Sequence, residues 1–118
     1  MGGGTIFELS PSGGTYSFSV IYQNFPEDDG GGAGSRLVMD QAGNLYGTAG
    51  TVGAHGQGMV YKLSRNGSSW TLTALHDFNG SDGYEPEGDI VRDANGNIYG
   101  TTYAGGAHGF GVVWEVTP

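Results

Sequence analysis

Cysteine is absent from the 118 residues, which excludes a disulfide framework and thiol chemistry. Positive charge is almost as scarce. Lys62 is the only lysine, Arg36, Arg65 and Arg92 are the only arginines, and twelve acids bring the net charge to −8. A chain this acidic is repelled by nucleic acid and by anionic membrane surfaces. No apolar run is long enough to span a bilayer as a helix, and no secretory signal begins at Met1. Sustained helical periodicity is missing too. Apolar residues never recur for long at i, i+3, i+4 and i+7, and glycine interrupts every candidate window. What remains is an all-β chain.

Glycine is plentiful, at 25 residues, but it has no three-residue period, and seven Tyr, five Phe and two Trp argue against disorder. One stretch organises the rest. Asp40-Gln-Ala-Gly-Asn-Leu-Tyr-Gly-Thr48 returns 53 residues later as Asp93-Ala-Asn-Gly-Asn-Ile-Tyr-Gly-Thr101. Each copy ends an apolar run and turns through Gly-Asn, a hairpin signal. Ile6 to Ser10 matches Val60 to Ser64 at an offset of 54, and Val113 to Thr117 is a third copy. Tyr16, Phe18 and Val20 match Trp70, Leu72 and Ala74 in the same way. The change of offset from 54 to 53 is assigned to the acidic loop within residues 24–35.

Four antiparallel strands per period point to propeller blades. In blade order the strands are inner (from Arg36 and Gly88), second (Asn44, Asn97), third (Thr5, Met59, Val112) and outer (Tyr16, Trp70). Pro11 to Gly14 reads as a turn. The repeats span about 5–58 and 59–111, with a partial third over 112–118, all in a single propeller unit of 1–118. Two blade equivalents and one surplus strand leave apolar faces open, so the expectation is closure into a ring by oligomerisation. A homotrimer of about six blades is favoured, with a tetramer of about eight as the alternative. The duplicated strand is expected to be supplied to a composite blade by Val112 to Thr117, displacing residues near Met1 to Ser10.

The motifs GGGTIFELSPSG, GSDGYEPEGDIVRDANGNIYGTTYAGG and GFGVVWEVTP resemble the tandem repeats of GloVer-type bacterial propeller proteins. The likeness covers nearly the whole chain, apart from Asn24 to Ser35, where the Asp-Gly-x-x-Pro segment is missing from the first repeat. Weaker similarity extends to NHL and kelch repeats. The resemblance implies an exported bacterial propeller, extracellular or periplasmic, and it carries no catalytic residue that transfers to this chain.

The candidate sites are few. Phe7, Tyr16, Tyr61, Trp70 and Trp114, with Tyr46 and Tyr99, are expected to fill interfaces between blades. A lectin reading uses Trp70, Trp114 and Arg92, with Arg36 and Glu85 nearby, to bind carbohydrate between blades. The acidic segment Asn79 to Glu87 has the oxygen-rich, glycine-containing composition of a calcium loop, with Asp82 and Glu85 as ligands, but it lacks the DxDxDG run. Glu27, Asp28 and Asp29 form a second acidic cluster. His55 and His108 sit at equivalent places in glycine links and read as turn residues, since neither has further metal ligands at suitable spacing. His76 stands alone on an outer strand. Asn66 and Asn79 head sequon-like triplets that glycine-rich turns produce by chance. No nucleophile elbow, catalytic triad or phosphate loop is present. The sequence therefore predicts a non-catalytic binding or structural module without a cofactor. A glycan-binding lectin comes second and a metal-dependent propeller hydrolase third.

Overall fold

A computed structural model describes residues 4–23, 25 and 32–118. Among these the chain is all-β, with nine strands in three small antiparallel sheets. The first sheet pairs β1 (Ile6–Ser12) with β2 (Thr15–Tyr22). The middle sheet runs β3 (Val38–Met39), β4 (Leu45–Ala49), β5 (Met59–Asn66) and β6 (Ser69–Asp77) in chain order. The last sheet runs β7 (Val91–Arg92), β8 (Ile98–Thr101) and β9 (Val113–Val116). No helix among the described residues is long and apolar enough to cross a membrane.

Local chemistry explains most of the hairpins. Gly13 and Gly14 both have positive φ, at 57° and 85°, which is the requirement of a type I′ turn. β1 therefore continues through Pro11 and Ser12, and the turn is tighter than Pro11 to Gly14. Proline is tolerated there because β1 lies at a sheet edge. Asn66-Gly67-Ser68 is likewise a hairpin tip, with Asn66 paired to Ser69 and Gly67 at φ 63°. The inner strands are shorter than the sequence suggests. Only Val38–Met39 and Val91–Arg92 pair regularly, so the runs that open at Arg36 and Gly88 begin irregularly.

The glycine of each Tyr-Gly-Thr has a steric cause. Gly47 lies opposite Tyr61, and a Cβ on it would stand 2.7 Å from the phenol Cζ. Gly100 lies opposite Trp114, where a Cβ would run into the indole. A large ring thus lies across the neighbouring strand in each copy, which only glycine permits.

Two apolar clusters hold successive sheets together. The first is centred on Tyr61, Leu63, Leu45 and Val52 of the middle repeat, with Ile6 and Phe25 from the first. The second joins Tyr46 and Val38 of the middle sheet to Ile98, Ile90 and Trp114. The same aromatic device recurs in both. Tyr22 meets Phe25 edge-on at 5.0 Å, and Phe25 meets Tyr61 at 5.5 Å. His76 meets Phe78 at 4.8 Å, and Phe78 meets Trp114 at 6.0 Å. Tyr22 and His76 are 54 apart but Phe25 and Phe78 only 53. The one-residue length change thus falls between Tyr22 and Phe25, ahead of the acids. Glu27, Asp28 and Asp29 themselves lie outside the described residues.

Candidate binding clefts

Each Asp-x-x-Gly-Asn-x-Tyr copy folds onto its own aspartate. Asp40 Oδ1 accepts the amides of Ala42 and Asn44, both at 2.9 Å, and Oδ2 accepts Asn44 Nδ2 at 2.8 Å and the Tyr46 hydroxyl at 3.0 Å. Asp93 repeats the set with Asn95, Asn97 and Tyr99. The first residue of the motif is therefore a clamp that closes the hairpin and orients the tyrosine six residues further on. An aspartate at a turn followed by glycine-asparagine was visible in the sequence, but its bond to the tyrosine was not.

These clamps titrate at acid pH. Burial pushes the Asp40 carboxyl upward, yet the hydrogen bonds from Asn44, Tyr46 and Ala42 outweigh it and bring the pKa from 3.8 down to about 2. The Asp93 carboxyl is lowered as well, chiefly by the Asn97 side chain. A carboxyl whose pKa is depressed by folding adds stability above its unfolded pKa, and that stability is lost as the pH falls through the folded pKa. For partly exposed Asp40 the contribution is roughly 1 kcal/mol after solvent screening. Denaturant unfolding is accordingly expected to show stability falling between about pH 4 and 2, with a shallower fall in D40N. Identical pH slopes in the two proteins would show that the carboxylate is not held by the turn.

Two clefts lie between successive sheets, and they are copies of each other. The first has a volume of about 440 Å³ and includes Glu8, Ile21, Met39, Leu45, Gly43 and Arg65 in its lining. The second has a volume of about 270 Å³ and carries Lys62, Leu75, Arg92 and Ile98, with Gly96 and Pro118 at the matching places. Every one of these pairs is separated by 53 or 54 residues. Tyr46 adds a wall to the second cleft. The first sheet has no strand of the β4 kind, so its cleft has no such wall and is wider.

The chain matches the family model of the Gloeobacter/Verrucomicrobia repeat over residues 1–118. It belongs to that family. No curated protein and no solved structure matches it.

In this member of the Gloeobacter/Verrucomicrobia repeat, the residues singled out from sequence separate into different places. Tyr61 is completely buried between the first and middle sheets, while Trp70 and Trp114 are only partly covered. Phe7 and Tyr16 stand exposed on the first sheet. Trp70 borders the first cleft beneath Arg65, whose guanidinium lies 5.9 Å from its ring. Arg92 borders the second cleft, so Trp70 and Arg92 do not form one site. Trp114 packs in the second cluster against Phe78.

His76 does not stand alone. Its Nε2 lies 2.8 Å from Asp82 Oδ2, and Asp82 Oδ1 accepts the Asn79 amide at 2.9 Å. Burial pushes the Asp82 carboxyl up, but the Asn79 amide and His76 outweigh it and lower its pKa. Both carboxylate oxygens thus have partners within the chain. Glu85 takes a left-handed φ of 55°, and its backbone joins Gln57 and Tyr103 at 3.0 Å each, bridging the two glycine links. Among the described residues no three His, Asp or Glu side chains converge as a metal site. His55 and His108 each occupy the third position of a turn, closed by Gly56 on Gly53 and by Gly109 on Gly106, and both are exposed.

Proposed function

We propose that this chain is a non-catalytic building unit of a closed β-propeller, in which copies of itself complete the two unfinished sheets. The middle sheet has four kinds of strand in order. The first sheet has only the third and fourth kinds, and the last has only the first three. They are complementary, with β1 and β9 duplicating one position, so a composite sheet leaves one of the two surplus.

The observation that carries this reading is the contrast between equivalent residues. Tyr61 and Leu63 are fully buried in the middle sheet, whereas their counterparts Phe7 and Leu9 are 54% and 53% exposed in the first. Val60 is fully buried, whereas its counterpart Val113 in the last sheet is 81% exposed. Each exposed residue belongs to an end sheet, where the neighbouring strands of the repeat are missing. Phe7, Leu9, Tyr16, Phe18 and Val20 lie together on one face, which a soluble monomer rarely leaves in water. Light scattering of the protein at micromolar concentration is expected to give three times the 12.2 kDa chain mass, a six-blade ring of the usual propeller size. A mass of four chains gives the larger ring. A stable species of 12.2 kDa would sink the proposal.

A further inference from the structure

Because the two clefts are copies, each is a control for what the fold needs. At two of the matched places the fold does not need a cation. Where the first cleft has Glu8 and Met39, the second has Lys62 and Arg92. Two of only four basic residues in a chain of net charge −8 are therefore placed in one cleft by something other than the repeat.

Both lie over the ring of Tyr46. Lys62 projects from β5 beside Tyr46 on the middle sheet, with its Nζ 5.9 Å from the ring centroid. Arg92 comes from β7 of the last sheet and brings its guanidinium carbon to 5.7 Å from the same ring. Among the described residues the ion pair is His76 with Asp82, and neither Lys62 nor Arg92 has a carboxylate partner. Asp40 shares a neighbouring hollow with Arg92 but spends its Oδ2 on Asn44 and the Tyr46 hydroxyl. Arg92 Nε is enclosed by the protein, and its terminal Nη2 lies beside Gly96, where a Cβ would stand 3.2 Å from it in the cleft lining.

We propose that the second cleft binds a small organic carboxylate. A planar carboxylate can take two hydrogen bonds from the terminal nitrogens of a guanidinium, and Lys62 supplies a second charge from the middle sheet. Leu75, Ile98 and Val116 offer an apolar lining for the carbon body. The acidic chain and nearby Asp40 favour a single negative charge over a phosphate dianion. The cleft lies within one chain, so this inference does not rest on self-assembly.

Benzoate, its neutral isostere benzamide, and inorganic phosphate are suitable probes, followed by backbone amide shifts of the intact protein. Benzoate is expected to give saturable shifts at Lys62, Arg92 and Gly96, with benzamide at least about tenfold weaker. R92M, which installs the residue found in the other cleft, and K62Q are each expected to weaken benzoate about tenfold. Melting temperatures verify that both variants fold, and K62Q alone decides the matter if R92M does not. Equal binding of benzamide, undiminished binding in the folded variants, tighter binding of phosphate at the same amides, or no saturable shift with benzoate would each overturn the proposal.

Discussion

Replacing Tyr61 by alanine is expected to remove about 3–5 kcal/mol of stability, the largest effect of any single truncation in this chain. The ring is fully buried, meets Phe25 edge-on at 5.5 Å, and lies across Gly47 where no side chain competes for the space. Deleting it leaves a cavity at the centre of the first cluster, and the sheets on either side cannot collapse without breaking their pairing. Domains of this size have total stabilities of about 5–15 kcal/mol, so the variant should be near its unfolding threshold. Tyr61→Phe provides the contrast. The hydroxyl is buried without a hydrogen-bond partner, and burial alone raises its pKa. Removing it is expected to be neutral or to stabilise by up to about 1 kcal/mol. Urea unfolding of the two variants checks both arms. A loss below about 1 kcal/mol in Tyr61→Ala would mean that the ring is not in a packed core. By comparison Trp70 and Trp114, the larger rings, are partly exposed and should cost less.

If the chain assembles as proposed, Phe18→Glu is expected to leave monomers of 12.2 kDa. Phe18 is 63% exposed, is paired across the hairpin with Leu9, and touches Phe7 at 5.7 Å between ring centroids. In an isolated chain a charge at such a position changes stability by no more than about 0.5 kcal/mol. In an assembled ring the same position is covered, as Leu72 is in the middle sheet, where it packs against the first cluster. An unpaired carboxylate there must be desolvated or excluded, and exclusion means dissociation. Sedimentation of the wild type and the variant at equal concentration separates the two situations. Equal masses, both above one chain, would place the contact elsewhere on the molecule.

The strand inventory and the hairpins were legible in the order of residues. Alternation of apolar and polar residues sets which residues share a face, and Gly13-Gly14, Gly43-Asn44, Gly67 and Gly96-Asn97 set where the chain reverses, because both are properties of a few adjacent residues. The repeat offset then ordered the sheets, since equal segments fold alike. The ends of the short inner strands and the extent of β1 were less legible. A strand of two residues has too few alternations to show a period, and a proline at a sheet edge is indistinguishable in sequence from one in a turn.

Which equivalent residues differ in role depends on how the sheets pack. Phe7 and Tyr61 hold the same place in the repeat, yet one is exposed and the other buried, because only the second has a sheet laid over it. His76 and Asp82 are six residues apart across a loop whose path no periodic pattern describes, so their pairing emerged only when the loop was placed. Lys62 and Arg92 come from different sheets, and their meeting over Tyr46 depends on how those sheets stack. Local rules fix a residue's conformation and its face, but a contact between sheets requires the distance and angle at which two finished surfaces pack, which no short stretch of sequence contains.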